Sequence, residues 1–162
     1  MDDPETARKS MPGDAPEGAR YDRDLYSWAI EQAALLRSGR LNRLDALNLA
    51  EEIDDVGNEQ YDKLASAIRV ILVHLLKWDR QPKRRSRSWK LSIAVNRKHA
   101  ARVLRKNPGL GPKVEEAIVE AYETARLEAA AQTLLEEDDF PIECPYSWSD
   151  IMDREVPWPP TD

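Results

Sequence analysis

Residues 61–76 read YDKLASAIRVILVHLL and form the most apolar part of the chain. Tyr61, Leu64 and Ile68 begin a stripe at spacings of three and four residues, which predicts an amphipathic helix. From residue 70 to residue 76 nearly every side chain is apolar, and helices that are apolar all round are normally buried. The β-branched residues of 68–73 would also suit a buried strand, but the continuous stripe favours a helix over about residues 58–79. We therefore expect this helix to be central to the fold.

Helical patterns also cover most of the remaining sequence. Gly39, Gly57 and Asn107-Pro108-Gly109 are placed to end helices, while Asp45 is a candidate N-cap. The predicted helices cover about residues 22–38, 45–57, 58–79, 86–107, a segment opening at Pro112, and 148–153. No internal repeat or convincing strand is present. The sequence therefore predicts an all-α fold: a single helical bundle of about five main helices, a short C-terminal helix and an extended proline-rich tail.

The composition is that of a soluble protein with one domain. The 162 residues carry a formal net charge of −6, and 41% of them are hydrophobic. No segment approaches the run of about 20 apolar residues that a membrane helix needs, and the acidic N-terminus is unlike a signal peptide. The single cysteine, Cys144, suits a reducing cytosol. We expect a disordered leader over residues 1–20, a single helical domain over 21–162, a cytoplasmic location and no membrane association.

Five short motifs occur in order along the chain. They are LAEEI at 49–53, HLLKW at 74–78, QP at 81–82, RSRSW at 85–89 and CPY at 144–146. The pattern resembles the domain of unknown function 29 family, small bacterial proteins that are especially numerous in cyanobacteria. The resemblance covers about residues 21–156 and implies a helical domain, but it implies no reaction because the family has no established activity. Asp79-Arg80 departs from the pattern, which is expected to have a less charged pair with an aromatic residue there.

Charge is distributed unevenly along the sequence. Residues 77–106 contain twelve Lys and Arg residues and one acid, so this basic segment has a net charge of +11 and the rest of the chain −17. Residues 45–62 carry seven acids and no base. The cations that we expect to form a candidate binding surface are Arg84, Arg85, Arg87, Lys98, Arg102 and Arg105.

The basic segment has two interpretations. It can bind a polyanion, because Arg and Lys contact phosphates and Trp89 is available for stacking on bases. It can instead pair with the acidic helices of the same chain, which we favour because nonspecific nucleic-acid binders usually have a basic domain overall. Free cations at these positions would favour the first interpretation.

Arg97 lies on the apolar side of its predicted helix, where a buried guanidinium needs a carboxylate. We expect Glu51, Glu52 or Asp55 to be that partner. The alternative is that Arg97 extends from the edge of the apolar stripe to water.

The sequence contains no strong enzyme signature. A glycine-rich phosphate loop, HExxH and GxSxG are all absent, and neither His74 nor His99 belongs to a Glu-x-x-His motif. His74 is interpreted as a hydrogen-bonded core residue, and Cys144 has no neighbouring cation that would activate its thiol. We expect no catalytic residues, no metal site and no cofactor, although the acidic second helix leaves an enzyme or metal site as a minor alternative.

The function that the sequence favours is that of a non-enzymatic helical interaction module. Leu91 and Val95 lie between Arg87 and Arg102, and apolar residues inside a charged rim are typical of a partner-binding patch. The expected partner is another protein or a second copy of this chain. The alternative, which we disfavour, is a nucleic-acid or phosphate-binding protein that uses residues 77–106.

Overall fold

A computed structural model describes residues 20–159, and the predicted disordered leader therefore lies almost wholly outside the described residues. These residues form helices and no strand, which confirms the all-α prediction. The α-helices are α1 (Leu25–Arg37), α2 (Ala46–Arg80), α3 (Arg87–Lys106), α4 (Val114–Ala131) and α5 (Trp148–Asp153). Short 3-10 turns precede α2, α3 and α4, and a fourth lies between α4 and α5.

The predicted end of a helix at Gly57 is wrong, because α2 runs through this residue without a break. Gly39 differs from it: φ is +70° there, so the chain leaves α1 through the left-handed conformation that glycine adopts readily. Gly57 remains helical and costs about 1 kcal/mol relative to alanine. The hydrogen bonds of the flanking turns offset that cost, so the predicted second and third helices are one helix of 35 residues.

The described residues divide into two compact units, 20–54 and 55–159, and the single domain over residues 21–162 stays a prediction. The first unit contains α1 and the beginning of α2. Trp28 in this unit is buried, and its indole Nε1 donates to Asp45 Oδ2 at 3.1 Å. Gln32 Oε1 accepts from the backbone N–H of Asp45 at 2.9 Å, and the Asp45 side chain accepts a hydrogen bond from Asn48 at 2.7 Å. These contacts order the turn before α2. The backbone N–H of Asn48 also donates to Asp45 Oδ1 at 3.5 Å, which confirms Asp45 as a capping residue.

The core of the second unit is built on the second half of α2, as expected. The fully buried side chains there include Leu64, Ile68, Ile71, Leu72, Leu75 and Leu76. Trp89 is partly buried and packs against the same core. Tyr61 donates to Glu120 at 2.8 Å, and Arg69 forms an ion pair with Glu128. Both pairs are separated by 59 residues, so α2 and α4 run parallel to each other.

The segment after α4 packs onto this core and is fastened at Asp79. Tyr146 is buried, and its hydroxyl donates to Asp79 Oδ2 at 2.8 Å. Arg154 donates to both carboxylate oxygens of Asp79, at 2.9 and 2.6 Å. Ser147 and Asp150 form the predicted capping box of α5. The charged residue that departs from the family pattern therefore holds the C-terminal segment to α2.

Candidate interaction surfaces

Four of the six predicted surface cations lie exposed on α3, and Arg84 is exposed in the turn before it. The four on α3 are Arg87, Lys98, Arg102 and Arg105. None of these five residues forms an ion pair with a carboxylate of residues 55–159. The pairing of the basic segment with the chain's own acids, which we favoured from the sequence, is therefore not found within the second unit.

Arg85, the sixth candidate, has a structural role. Its side chain is half-buried, and Nε donates to the backbone carbonyl of Trp78 at 2.9 Å. The guanidinium also lies 5.2 Å from the centroid of the Trp78 ring, within the range of a cation–π interaction. These contacts hold the Arg85 side chain against the turn between α2 and α3. We therefore remove Arg85 from the candidate binding surface.

Two apolar side chains lie among the exposed cations of α3. Leu91 and Val95 are each 49% exposed. Together with Arg87, Lys98 and Arg102 they follow helical spacings of three and four residues, so they share one side of α3. We call these five residues the basic α3 surface. Its apolar centre and cationic rim have the composition of a protein-binding patch.

A second exposed surface with the opposite charge lies on the first part of α2. Leu47, Ala50, Glu51 and Asp54 are exposed and follow the same helical spacing, and Ile53 beside them is 68% exposed. We call these five residues the acidic α2 surface. It contains no cation, and within residues 20–54 neither acid has an ion-pair partner. Of the other predicted acids, Glu52 is half-buried and Asp55 is exposed.

The structure gives Arg97 a different partner from the predicted carboxylates Glu51, Glu52 and Asp55. Its Nε donates to the carbonyl of Ile151 at 2.8 Å, and an Nη donates to the carbonyl of Asp150 at 3.1 Å. Both carbonyls belong to α5, whose C-terminal end attracts a cation. The backbone carbonyls of α5 therefore accept the hydrogen bonds of Arg97 that were predicted to go to a carboxylate. The prediction of an ion pair at Arg97 is corrected accordingly.

His74 and Cys144 have surroundings that suit structural roles. The His74 ring donates from Nδ1 to the carbonyl of Val70 at 2.8 Å, and burial lowers the pKa of this imidazole below its ordinary value. Burial raises the pKa of the Cys144 thiol, which makes the reactive thiolate scarcer. Within residues 20–159 no group of three or more His, Cys, Asp or Glu side chains is placed to hold a metal ion.

Lys77 is a residue whose role sequence reasoning missed. It is buried, its Nζ donates to Gln132 Oε1 at 2.9 Å, and the ammonium lies 4.5 Å from the centroid of the Trp89 ring. Burial lowers the pKa of Lys77, while the cation–π contact supports its charged form. Its signal in the sequence is weak, since a lysine near the end of a helix is usually exposed.

Comparison with known proteins agrees with the motifs. Across residues 20–159, no helix combines the length and the apolar character needed to cross a membrane. Neither the search of curated proteins nor the search of solved structures found a match. The model of one family, described as domain of unknown function DUF29, matches residues 20–156, most of the chain and nearly all the residues described above. This chain therefore belongs to the DUF29 family.

Proposed function

We propose that this protein is a non-enzymatic, cytoplasmic bacterial module that associates with itself. The acidic α2 surface of one copy binds the basic α3 surface of another. The observation that carries the proposal is that Ile53 and Leu47 on one surface, and Leu91 and Val95 on the other, are exposed among charges of opposite sign.

The physical argument combines two contributions. Burying the apolar side chains removes them from water, which supplies affinity at about 25 cal/mol per Å². The opposite charges around them select the partner and its orientation and speed the encounter. The charges alone are not sufficient, because exposed ion pairs contribute only about 0–1 kcal/mol each.

The occupant is a second copy because both complementary surfaces belong to the same chain. In a two-fold symmetric dimer, each copy presents its acidic surface to the partner's basic surface, so that the same contact forms twice. Two such contacts bury more surface than one contact does. They therefore come closer to the interface area of about 1,600 Å² that is usual for specific complexes.

The test is a pair of charge reversals that are complementary to each other. One variant carries Glu51→Lys and Asp54→Lys, and the other carries Arg87→Glu and Lys98→Glu. Each variant alone brings like charges together, so we expect both to be monomeric in sedimentation velocity where the wild type is dimeric. A mixture of the two restores attraction at both contacts, and we expect it to form a heterodimer.

A matched control separates this specific effect from a general change of net charge. Glu115→Lys with Glu123→Lys makes the same change on exposed residues of α4, and it is expected to leave the dimer intact. A wild type that remains monomeric up to about 100 μM would overturn the proposal. So would a failure of the mixed variants to associate.

Nucleic-acid binding is a second candidate function, because the exposed cations of α3, which have no ion-pair partner within residues 55–159, favour it. The expected outcome is nevertheless no measurable binding near physiological salt, since the chain as a whole carries −6. About three to five phosphate contacts would give a slope of log K against log salt of roughly −2 to −4. Micromolar binding with that slope, abolished by Arg102→Glu, would replace self-association as the leading function.

A further inference from the structure

We infer that a cleft between α2 and α3 is a binding site for a phosphate monoester. The cleft lies within the second unit and has a volume of about 430 Å³. This volume falls within the range of about 300–1,000 Å³ that is usual for small-molecule sites. The inference does not rest on self-association, although Arg102 belongs to both the cleft and the basic α3 surface.

The side chains that line the cleft carry positive charge from two helices. Lys63 comes from α2, and Arg102 and Lys106 come from α3. His99 and Lys106 lie three residues before and four residues after Arg102, so helical spacing brings all three to one side of α3. No acidic side chain lines the cleft. One of the cations, Lys63, forms an exposed ion pair with Glu59 at 2.8 Å, and a bound phosphate would compete with this carboxylate for Lys63.

Polar and apolar side chains complete a site for an organic phosphate. Gln60, Asn96 and Asn107 also line the cleft, and their amides can hydrogen-bond phosphate or hydroxyl groups. Ala67 and Val103 provide an apolar surface, on which a carbon skeleton can lie. The site therefore suits a compact molecule with one anionic end and one less polar end.

The chemistry of the lining favours a monoester over the diester of a nucleic-acid backbone. A phosphate monoester carries about −1.5 to −2 charges at pH 7 and offers three acceptor oxygens, which match cations that converge from two sides. A diester carries only one charge, and a polynucleotide would need an extended row of cations rather than a cleft. A terminal monoester enters the cleft whole.

The experiment is an NMR titration of the isotopically labelled full chain, with adenosine 5′-monophosphate and inorganic phosphate as probes. We expect the backbone amide shifts to change most at Asn96, His99 and Asn107, with dissociation constants on the order of 1 mM or tighter. Adenosine itself, which lacks the phosphate, is expected to cause no shift at these residues.

Two double variants locate the site. Lys63→Gln with Lys106→Gln removes one cation from each side of the cleft and is expected to weaken binding of the monophosphate at least about tenfold. Arg84→Gln with Arg105→Gln removes the same charge from exposed residues that line neither the cleft nor the basic α3 surface, and it is expected to change binding less than about twofold.

Three results would overturn the inference. The first is the absence of localised shifts at about 10 mM of either probe. The second is equal weakening by the two double variants, which would indicate a diffuse electrostatic effect. The third is equally tight binding of a single-stranded RNA without a terminal phosphate, which would assign the cleft to diesters.

Discussion

The two halves of α2 carry the same apolar pattern and have opposite surroundings. Ala46, Ala50 and Ile53 recur 18 residues later as Leu64, Ile68 and Ile71, a distance of about five helical turns, so they lie on the same side of the helix. Ile71 is completely buried, whereas Ile53 is 68% exposed. The difference arises because α3, α4 and the C-terminal segment cover the second half. An apolar stripe thus predicts a face that needs covering, but not what covers it.

The largest expected effect comes from truncating these two equivalent isoleucines. Ile71→Ala creates a cavity in a closed core and is expected to lower the free energy of unfolding by about 2–5 kcal/mol. Ile53→Ala, measured at protein concentrations where the chain is monomeric, is expected to cost less than about 0.5 kcal/mol. Urea denaturation checks both values. Equal losses would show that the first half of α2 is covered in the monomer as well.

A smaller effect is expected where the C-terminal segment is fastened to the covered half. Burial acts to raise the pKa of Asp79, but hydrogen bonds from Arg154 and Tyr146 outweigh it and hold this pKa below the ordinary value of 3.8. The carboxylate therefore stabilises the fold above about pH 4, and this contribution is lost as the pH falls through the folded-state pKa.

The corresponding variant is Asp79→Asn. It is expected to lower stability by about 1–2 kcal/mol at pH 7, because Asp79 is only partly buried and one charge-assisted pair is weakened. Urea denaturation between pH 7 and pH 2 should show that the difference in the free energy of unfolding between this variant and the wild type becomes smaller toward pH 2. A difference that is constant with pH would mean that the charge of Asp79 does not fasten this segment.

The smallest effect is expected at Gly57, between the two halves. A Cβ added at this position would meet no atom within 4 Å, and the residue is already helical. Gly57→Ala should therefore raise the free energy of unfolding by about 0.5–1 kcal/mol, because alanine loses less conformational freedom in a helix. Thermal denaturation of the monomer checks this value, with Gly39→Ala as a contrast. At Gly39, φ is +70°, so alanine is expected to destabilise.

Features that depend on local chemistry could be predicted from the sequence. The helices follow from apolar spacing, and the capping roles of Asp45 and Ser147 follow from side chains that accept hydrogen bonds from nearby N–H groups. The helix end predicted at Gly57 is wrong because glycine is only a local stop signal, and the helical turns on both sides of it continue the helix. Its cost of about 1 kcal/mol is small beside the cooperativity of a long helix.

The sequence alone determined the all-α class, the central apolar helix, the DUF29 motifs and the opposite charges of residues 45–62 and 77–106. Only the tertiary structure decided that Arg97 binds the carbonyls of α5, that Arg85 is committed to Trp78, and that Lys77 is buried over Trp89. The same is true of the cleft that Lys63 shares with Arg102. Helix formation depends on neighbours within about four residues. These contacts instead depend on which helix faces pack together, and residues distant in sequence determine that packing.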